Sequence, residues 1–160
     1  MQPRTVSSSR AQLVRWMGVL DANSAGSVHG GTVMLLCDEA AGLAAVKHSR
    51  CRVVTAAIDR MTFLVPIKIA ELVTFSASVN AVWRSSMEVG VRVDSENPRT
   101  GEGRQTNTAY LTMVAIGEDG RPTQVPGLLA ESPEEQRRAR EAQIRRANRL
   151  AEREQLRDTL

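Results

Sequence analysis

The sequence predicts an α+β domain: one long apolar helix wrapped by a curved antiparallel five-stranded sheet, followed by a charged C-terminal helix. Three observations lead there. Residues 33–46, VMLLCDEAAGLAAV, are apolar apart from the adjacent Asp38 and Glu39, and are too long and too rich in Ala, Leu and Met for a typical strand. Residues 73–83 and 87–93 alternate apolar and polar with the period of a half-buried strand. A helix that is hydrophobic nearly all round must be buried, and the simplest cover available to this chain is its own sheet.

The elements follow in order. MQPRTVSSSR (1–10) has none of the 7–15-residue apolar stretch of a secretory signal and is expected to be a disordered leader. Leu13–Leu20 reads as a first strand. DANSAG (21–26) is a loop of turn formers. Gly30 and Gly31 introduce the helix, expected over 31–48. Arg52–Ile58 is the second strand and PIKIAE (66–71) a connection. In 73–83, Val73, Phe75, Ala77, Val79, Ala81 and Trp83 are expected on the core side and Thr74, Ser76, Ser78 and Asn80 on the other. Arg84, Ser85 and Ser86 form a turn into the strand of Met87, Val89, Val91 and Val93, and ENPRTGEG (96–103) leads to the last strand, Thr106–Ile116. This domain spans 11–130. In the tail, 131–160, SPEE is a capping box with Pro at the first helical position, opening a helix to about 156. Residues 132–158 hold eight arginines and six acids, so the tail reads as an ion-paired helix packed on its own or a neighbouring subunit.

The chain of 160 residues suits one domain, and 42% apolar with 24% charged residues is ordinary for a soluble globular protein. A formal charge of +3, with mixed signs in the tail and no interleaved aromatics, gives no reason to expect nucleic acid as a partner. Cys37 and Cys51 read as small buried hydrophobes. Neither they nor His29 and His48 have metal-site spacing, so no metal is expected. No segment is long and apolar enough to span a membrane. A cytoplasmic protein without a membrane partner is expected.

Burying an ionised carboxylate without partners costs several kcal/mol. Asp38 and Glu39 diverge by about 100° on a helix, so they face different surroundings. One can point to solvent or an interface while the other is hydrogen-bonded, or one can be catalytic. Gly30 and Gly31 let a ligand approach free N–H groups at a helix start, where an acyl-transfer oxyanion is stabilised. Asp38 lies eight residues beyond Gly30, about 12 Å along the helix. One carbonyl cannot touch both in a single chain. If both act on one substrate they come from different subunits, as two antiparallel helices in a C2 dimer would arrange.

DANSAGSVHGGTVMLLCDEAAGLAA resembles the acyl-CoA thioesterases of the hotdog fold, in the group containing bacterial YciA-type enzymes and the brain acyl-CoA hydrolase. VVTAAIDRMTFLVPIKIAELV, RSSMEVGVRVDSENPRTGE and NTAYLTMVAIGEDGRPTQVPGL agree, so the resemblance covers about residues 13–128. It implies an acyl-CoA thioester hydrolase working as a dimer with two interface sites, commonly three dimers to a hexamer. It assigns Asp38 as the catalytic carboxylate, Asn23 as the essential amide of the other subunit, and Gly30 and Gly31 as the helix-start glycines, with no cofactor beyond the coenzyme A of the substrate. Candidates for holding coenzyme A are Arg84, Ser85, Ser86, Arg60 and Arg104, with Asn107 and Thr108 along the subunit interface or the pantetheine path and Phe63, Met34 or Leu35 against the acyl chain. A non-catalytic acyl-CoA sensor on the same fold is the alternative, and a hydratase using His29 a third reading.

Overall fold

The computed structural model describes residues 1–157. In chain order the elements are β1 (Arg4–Thr5), α1 (Val6–Ser9), β2 (Ala11–Trp16), a single 3-10 turn (Val19–Asp21), α2 (Gly30–Ser49), β3 (Arg52–Asp59), β4 (Leu72–Val82), β5 (Ser86–Glu96), β6 (Gly103–Ile116), β7 (Leu128–Leu129) and α3 (Pro133–Arg157). Five strands form one antiparallel sheet in the order β2-β4-β5-β6-β3. All five touch α2, so the sheet curls around the helix as expected. Alanines set this spacing: Ala40, Ala41, Ala44 and Ala45 have no exposed surface. Their small side chains let the helix approach strands carrying Phe75, Val89, Val91, Leu111 and Met113, all within the same core. The helix ends where Arg50 takes a left-handed conformation, φ 59°, and its N–H returns to the Val46 carbonyl.

Three details differ from the sequence reading. The leader is ordered in this structure: β1 pairs in parallel with β7, Val6 and Ser9 are buried, and Arg4 donates to the His48 carbonyl at the end of α2. The N-terminal segment thus supplies partners for the helix end, which composition alone does not reveal. The first strand is shorter than Leu13–Leu20. It stops at Trp16 because Asp21 accepts the Gly18 N–H at 2.8 Å and rolls 19–21 into a 3-10 turn, leaving Val19 and Leu20 exposed. The alternation of β4 also breaks. A bulge between Val79 and Ala81 places Ala81 opposite Glu88 and Val82 opposite Met87. Val82 therefore packs on the core, while Trp83 turns to the outer face, where Gln143 of α3 accepts its indole N–H at 3.1 Å.

The tail helix lies on that outer face. Its capping box is formed as read: Ser132 Oγ accepts the Glu135 N–H at 3.1 Å, and Glu135 accepts the Ser132 N–H at 3.2 Å. Residues 158–160, the end of the expected tail, lie outside the described residues. Glu88 points outward from β5 yet is fully buried beneath α3. Arg145 grips it with two bonds of 3.0 and 2.7 Å, and Asn80 adds a third at 3.1 Å. The Arg145 guanidinium also stacks 3.6 Å from the Tyr110 ring centre. Gly90 makes room: a Cβ there would lie 2.7 Å from the Asn80 amide nitrogen. A bulge between Thr55 and Ala57 in β3 acts similarly, turning Asp59 outward to Arg149 of α3.

Removing one partner of a buried pair strands the other's charge. Arg145→Met is expected to destabilise the protein by about 3–5 kcal/mol in denaturant titration. Adding Glu88→Gln should recover much of that loss, whereas additive losses would show that the pair does not couple.

A second expectation concerns pH. The fully buried His48 imidazole faces the Pro126 carbonyl at 2.9 Å, and its Nδ1 has no partner among the described residues. Burial pushes its pKa below the ordinary value; the Pro126 carbonyl opposes this and the Arg4 charge adds to it. The unfolded chain takes up this proton near pH 6.5, the folded chain only at lower pH. Stability present above about pH 6.5 is therefore lost as the pH falls. Urea midpoints at fixed protein concentration should drop between pH 7.5 and 5.5, and His48→Gln should flatten that slope.

Candidate active site

The loop before α2 is fastened at several points. The Asp21 carbonyl accepts the His29 N–H at 2.7 Å, and the Ile67 carbonyl accepts that of Val28 at 2.8 Å. Within the loop, Asn23 Oδ1 accepts the N–H groups of Ala25 and Ser27 at 2.9 and 3.2 Å, and its Nδ2 reaches Ser27 Oγ at 3.4 Å. The amide oxygen is thus spent on the loop, and its spare capacity is as an N–H donor. Asn23 and Gly30 line one cavity of about 260 Å3, with Phe63 and Asn107 on its other side.

At the start of α2 the four leading N–H groups have no partner within the helix. Thr32 and Val33 donate to the His29 carbonyl, and Gly31 donates to His29 Nδ1 at 3.0 Å. Gly30 is left as the open donor. It packs close to the cavity wall: a Cβ there would lie 3.4 Å from the Phe63 ring, in contact with it. Asn107 fixes this arrangement from β6 by donating to the Thr62 carbonyl at 2.6 Å, which holds the segment carrying Phe63.

Asp38 stands two turns along α2, half-buried, and accepts a bond from Thr55 Oγ1 at 2.5 Å. Thr55 was not singled out in the sequence. Its signal was modest: a hydroxyl in the same phase as Val53 on a strand facing the helix. The two acids part as the helix geometry requires. Glu39 is exposed and has no hydrogen bond or ion pair among the described residues. Around it Met34, Leu35, Leu43 and Val46 are also exposed, as are Val54 and Ile58 of the neighbouring edge strand β3. Cys37 is buried; burial, with the Asp38 charge beside it, pushes its thiol up to about 12. It is an inert core residue rather than a nucleophile.

The remaining candidates separate. Arg84, Ser85 and Ser86 sit at the opposite end of the sheet from Asn107. Ser86 pairs with Val114, seven positions along β6 from Asn107 and so about 23 Å away. Arg60 is exposed, without a hydrogen-bond or ion-pair partner among the described residues, and shares a hollow of about 330 Å3 with Asn107 and Thr108. Arg104 is committed elsewhere: it bonds Glu71 at 3.0 Å and the Pro66 carbonyl at 2.7 Å. Burial alone would raise the Glu71 pKa, but the Arg104 bonds and charge and the Lys68 N–H outweigh it and hold the carboxyl below its usual range. Among the described residues no three His, Cys, Asp or Glu side chains gather as a metal site, and no helix is long and apolar enough to cross a membrane.

Residues 25–102 match the thioesterase superfamily. A Bacillus subtilis (strain 168) protein named uncharacterized acyl-CoA thioester hydrolase YkhA is 39% identical over 116 residues, which is 72% of this chain and 67% of that one. The chain belongs to the thioesterase superfamily. A hexameric acyl-CoA thioesterase, solved without ligand, superposes with a TM-score of 0.91 at 38% identity over 95% of this chain and 97% of that one. An acyl-CoA hydrolase of Staphylococcus aureus, solved with butyryl coenzyme A, coenzyme A and coenzyme A disulfide, gives 0.90 at 33% identity over 98% and 95%. Further structures of that hydrolase carry alanine in place of an aspartate, an asparagine and a threonine. Mammalian cytosolic acyl coenzyme A thioester hydrolases match 90% of this chain, which spans only 38% of their length.

The bond from Asn107 to the Thr62 carbonyl has a direct consequence. Asn107→Ala should raise amide hydrogen exchange across residues 60–67 while leaving β4 and β5 protected; unchanged exchange there would remove Asn107 as the anchor of that segment.

Proposed function

We propose that the protein hydrolyses acyl-CoA thioesters to free acid and coenzyme A at two sites formed between two copies of the chain. The observation that carries this reading is the separation of the two halves. Asn23 and the open Gly30 N–H meet at the start of α2. Asp38 and Thr55 meet two turns along, on a face whose apolar side chains are exposed. A second, antiparallel α2 against that face would bring one copy's Asp38 to the other's Gly30 and Asn23. The residues changed in the Staphylococcus hydrolase support this. Its asparagine and aspartate are 15 residues apart, and its aspartate and threonine 17, as are Asn23, Asp38 and Thr55 here.

In this reading the thioester oxygen lies at the Gly30 N–H, where the positive end of the helix favours the charge that develops on it. Asp38 of the opposing subunit takes a proton from water as the water oxygen bonds to the carbonyl carbon. The C–S bond then breaks, and the coenzyme A sulfur leaves with a proton. The Thr55 hydroxyl fixes the Asp38 carboxylate, and the spare Asn23 N–H orients the water or the carbonyl. Attack by Asp38 itself through an anhydride is the competing route. The chemistry asks for no metal or organic cofactor. Arg60, unpaired among the described residues, is the cation that would meet coenzyme A at the Asn107 hollow, whereas Arg84, Ser85 and Ser86 would meet a coenzyme A held by another copy. The likeness to hexameric relatives supports three such dimers assembling together.

Asp38→Asn is expected to lower kcat at least 100-fold, within the usual range for a lost general base, without dissociating the dimer. Mixing Asn23→Ala with Asp38→Ala subunits should restore about a quarter of wild-type activity, because half of the randomly exchanged dimers hold one intact site. No recovery on confirmed exchange would place both residues in one chain's site. Wild-type protein that binds acyl-CoA but releases no thiol would be a binding module instead.

A further inference from the structure

The two helix-start glycines are not equivalent, and His29 makes the difference. Of the first four N–H groups of α2, those of Thr32 and Val33 are turned to the His29 carbonyl and that of Gly31 to the His29 ring, while that of Gly30 has no acceptor among the described residues. The ring accepts through Nδ1, so in this state Nδ1 carries no proton. The contact is close, since a Cβ on Gly31 would sit 3.1 Å from that nitrogen. His29 is itself held from behind, its N–H bonded to the Asp21 carbonyl, and its side chain is exposed.

We propose that His29 is a positioning residue that caps the Gly31 N–H in the resting protein and yields it to the thioester oxygen as negative charge develops there. The proposal rests on the thioesterase reading and adds a step to it. A helix start left bare would lose stability. A cap that held the donor too firmly would deny it to the reaction. A neutral imidazole is intermediate: it satisfies the N–H with an uncharged acceptor and swings on its own side-chain torsions into open solvent. An oxyanion, bonded more strongly because it is charged, replaces it. The resting site then presents one donor, Gly30, and the reacting site two. A Cβ would meet the Phe63 ring at 3.4 Å at Gly30 and the imidazole at 3.1 Å at Gly31, so both glycines keep the helix start uncrowded.

The cap makes stability and turnover run in opposite directions, which a purely structural role does not. His29→Asp installs a better and anionic N-cap, and His29→Ala removes the cap. Melting temperature should follow Asp ≥ His > Ala. The kcat for thiol release from a short acyl-CoA should follow the reverse order. His29→Ala should gain roughly three- to tenfold, the worth of one neutral hydrogen bond. His29→Asp should lose at least about tenfold, because a carboxylate then competes with the oxyanion for the same N–H and repels it. A kcat that instead tracks melting temperature, or a His29→Ala variant slower than wild type, overturns the proposal while leaving the thioesterase reading in place. Wild-type protein releasing no thiol from short, medium or long acyl-CoA overturns both. A second readout guards against a variant that folds poorly. In wild-type protein, binding a trifluoromethyl ketone analogue of an acyl-CoA, whose tetrahedral adduct stands in for the oxyanion, should shift the His29 Nδ1 nitrogen resonance away from its hydrogen-bonded position; an unmoved resonance with the tetrahedral adduct bound overturns the proposal.

Discussion

Everything in this molecule follows from one helix serving two purposes. The alanine side of α2 is the centre of the core, packed by all five strands. Its first turn, which no helix can satisfy internally, is the only part of it that can offer donors to a ligand. The sheet must therefore cover the helix along its length yet stop short of its beginning, and the 21–29 loop and the segment after β3 frame that opening. Burial fixes the helix, and the fixed helix aims its first N–H groups. A mobile helix would aim those donors less well, and preorganisation is what the proposed chemistry would ask of them.

The outer surface of the sheet is organised differently. There the partners are polar and ionic: Glu88 with Arg145 and Asn80, Asp59 with Arg149, Trp83 with Gln143. Such contacts demand particular geometry in a way that an apolar core does not. Two bulges, in β3 and β4, turn the right side chains outward to meet α3. The sheet thus has a forgiving inner face, where size and apolarity suffice, and an exacting outer one.

This division explains what could be read from the sequence. The apolar run of α2, the alternation of β4 and β5 and the capping box of α3 depend on local periodicity or on neighbouring residues, and all three are legible. The bulges are not, because an extra residue in a strand has no composition of its own; Trp83 was placed on the wrong face for that reason. The ordered leader was missed because its reason to fold lies at His48 and Leu128, far along the chain. In the site, Asp38 stood out as a charge in an apolar run, and the glycines stood out beside it. Thr55 did not, since a threonine in a strand is ordinary until its partner is known. Arg104 and Asn107 could be recognised as polar residues near the opening, but their bonds to Glu71 and the Thr62 carbonyl exist only through long-range contacts.

The edge strand β3 carries a final consequence. Its eight residues, Arg52–Asp59, leave one side of the backbone without a strand partner, beside the exposed apolar side chains of α2. An unprotected edge of that length, next to a greasy surface, is a template for promiscuous strand addition. In the dimer proposed above a second copy would cover this edge and surface, so the lone protomer would be the form open to aggregation. Mass action would then set the share of lone protomers, and dilution would raise it and separate the halves of the proposed sites. The surface most hazardous to the lone chain is the one on which its chemistry would be completed.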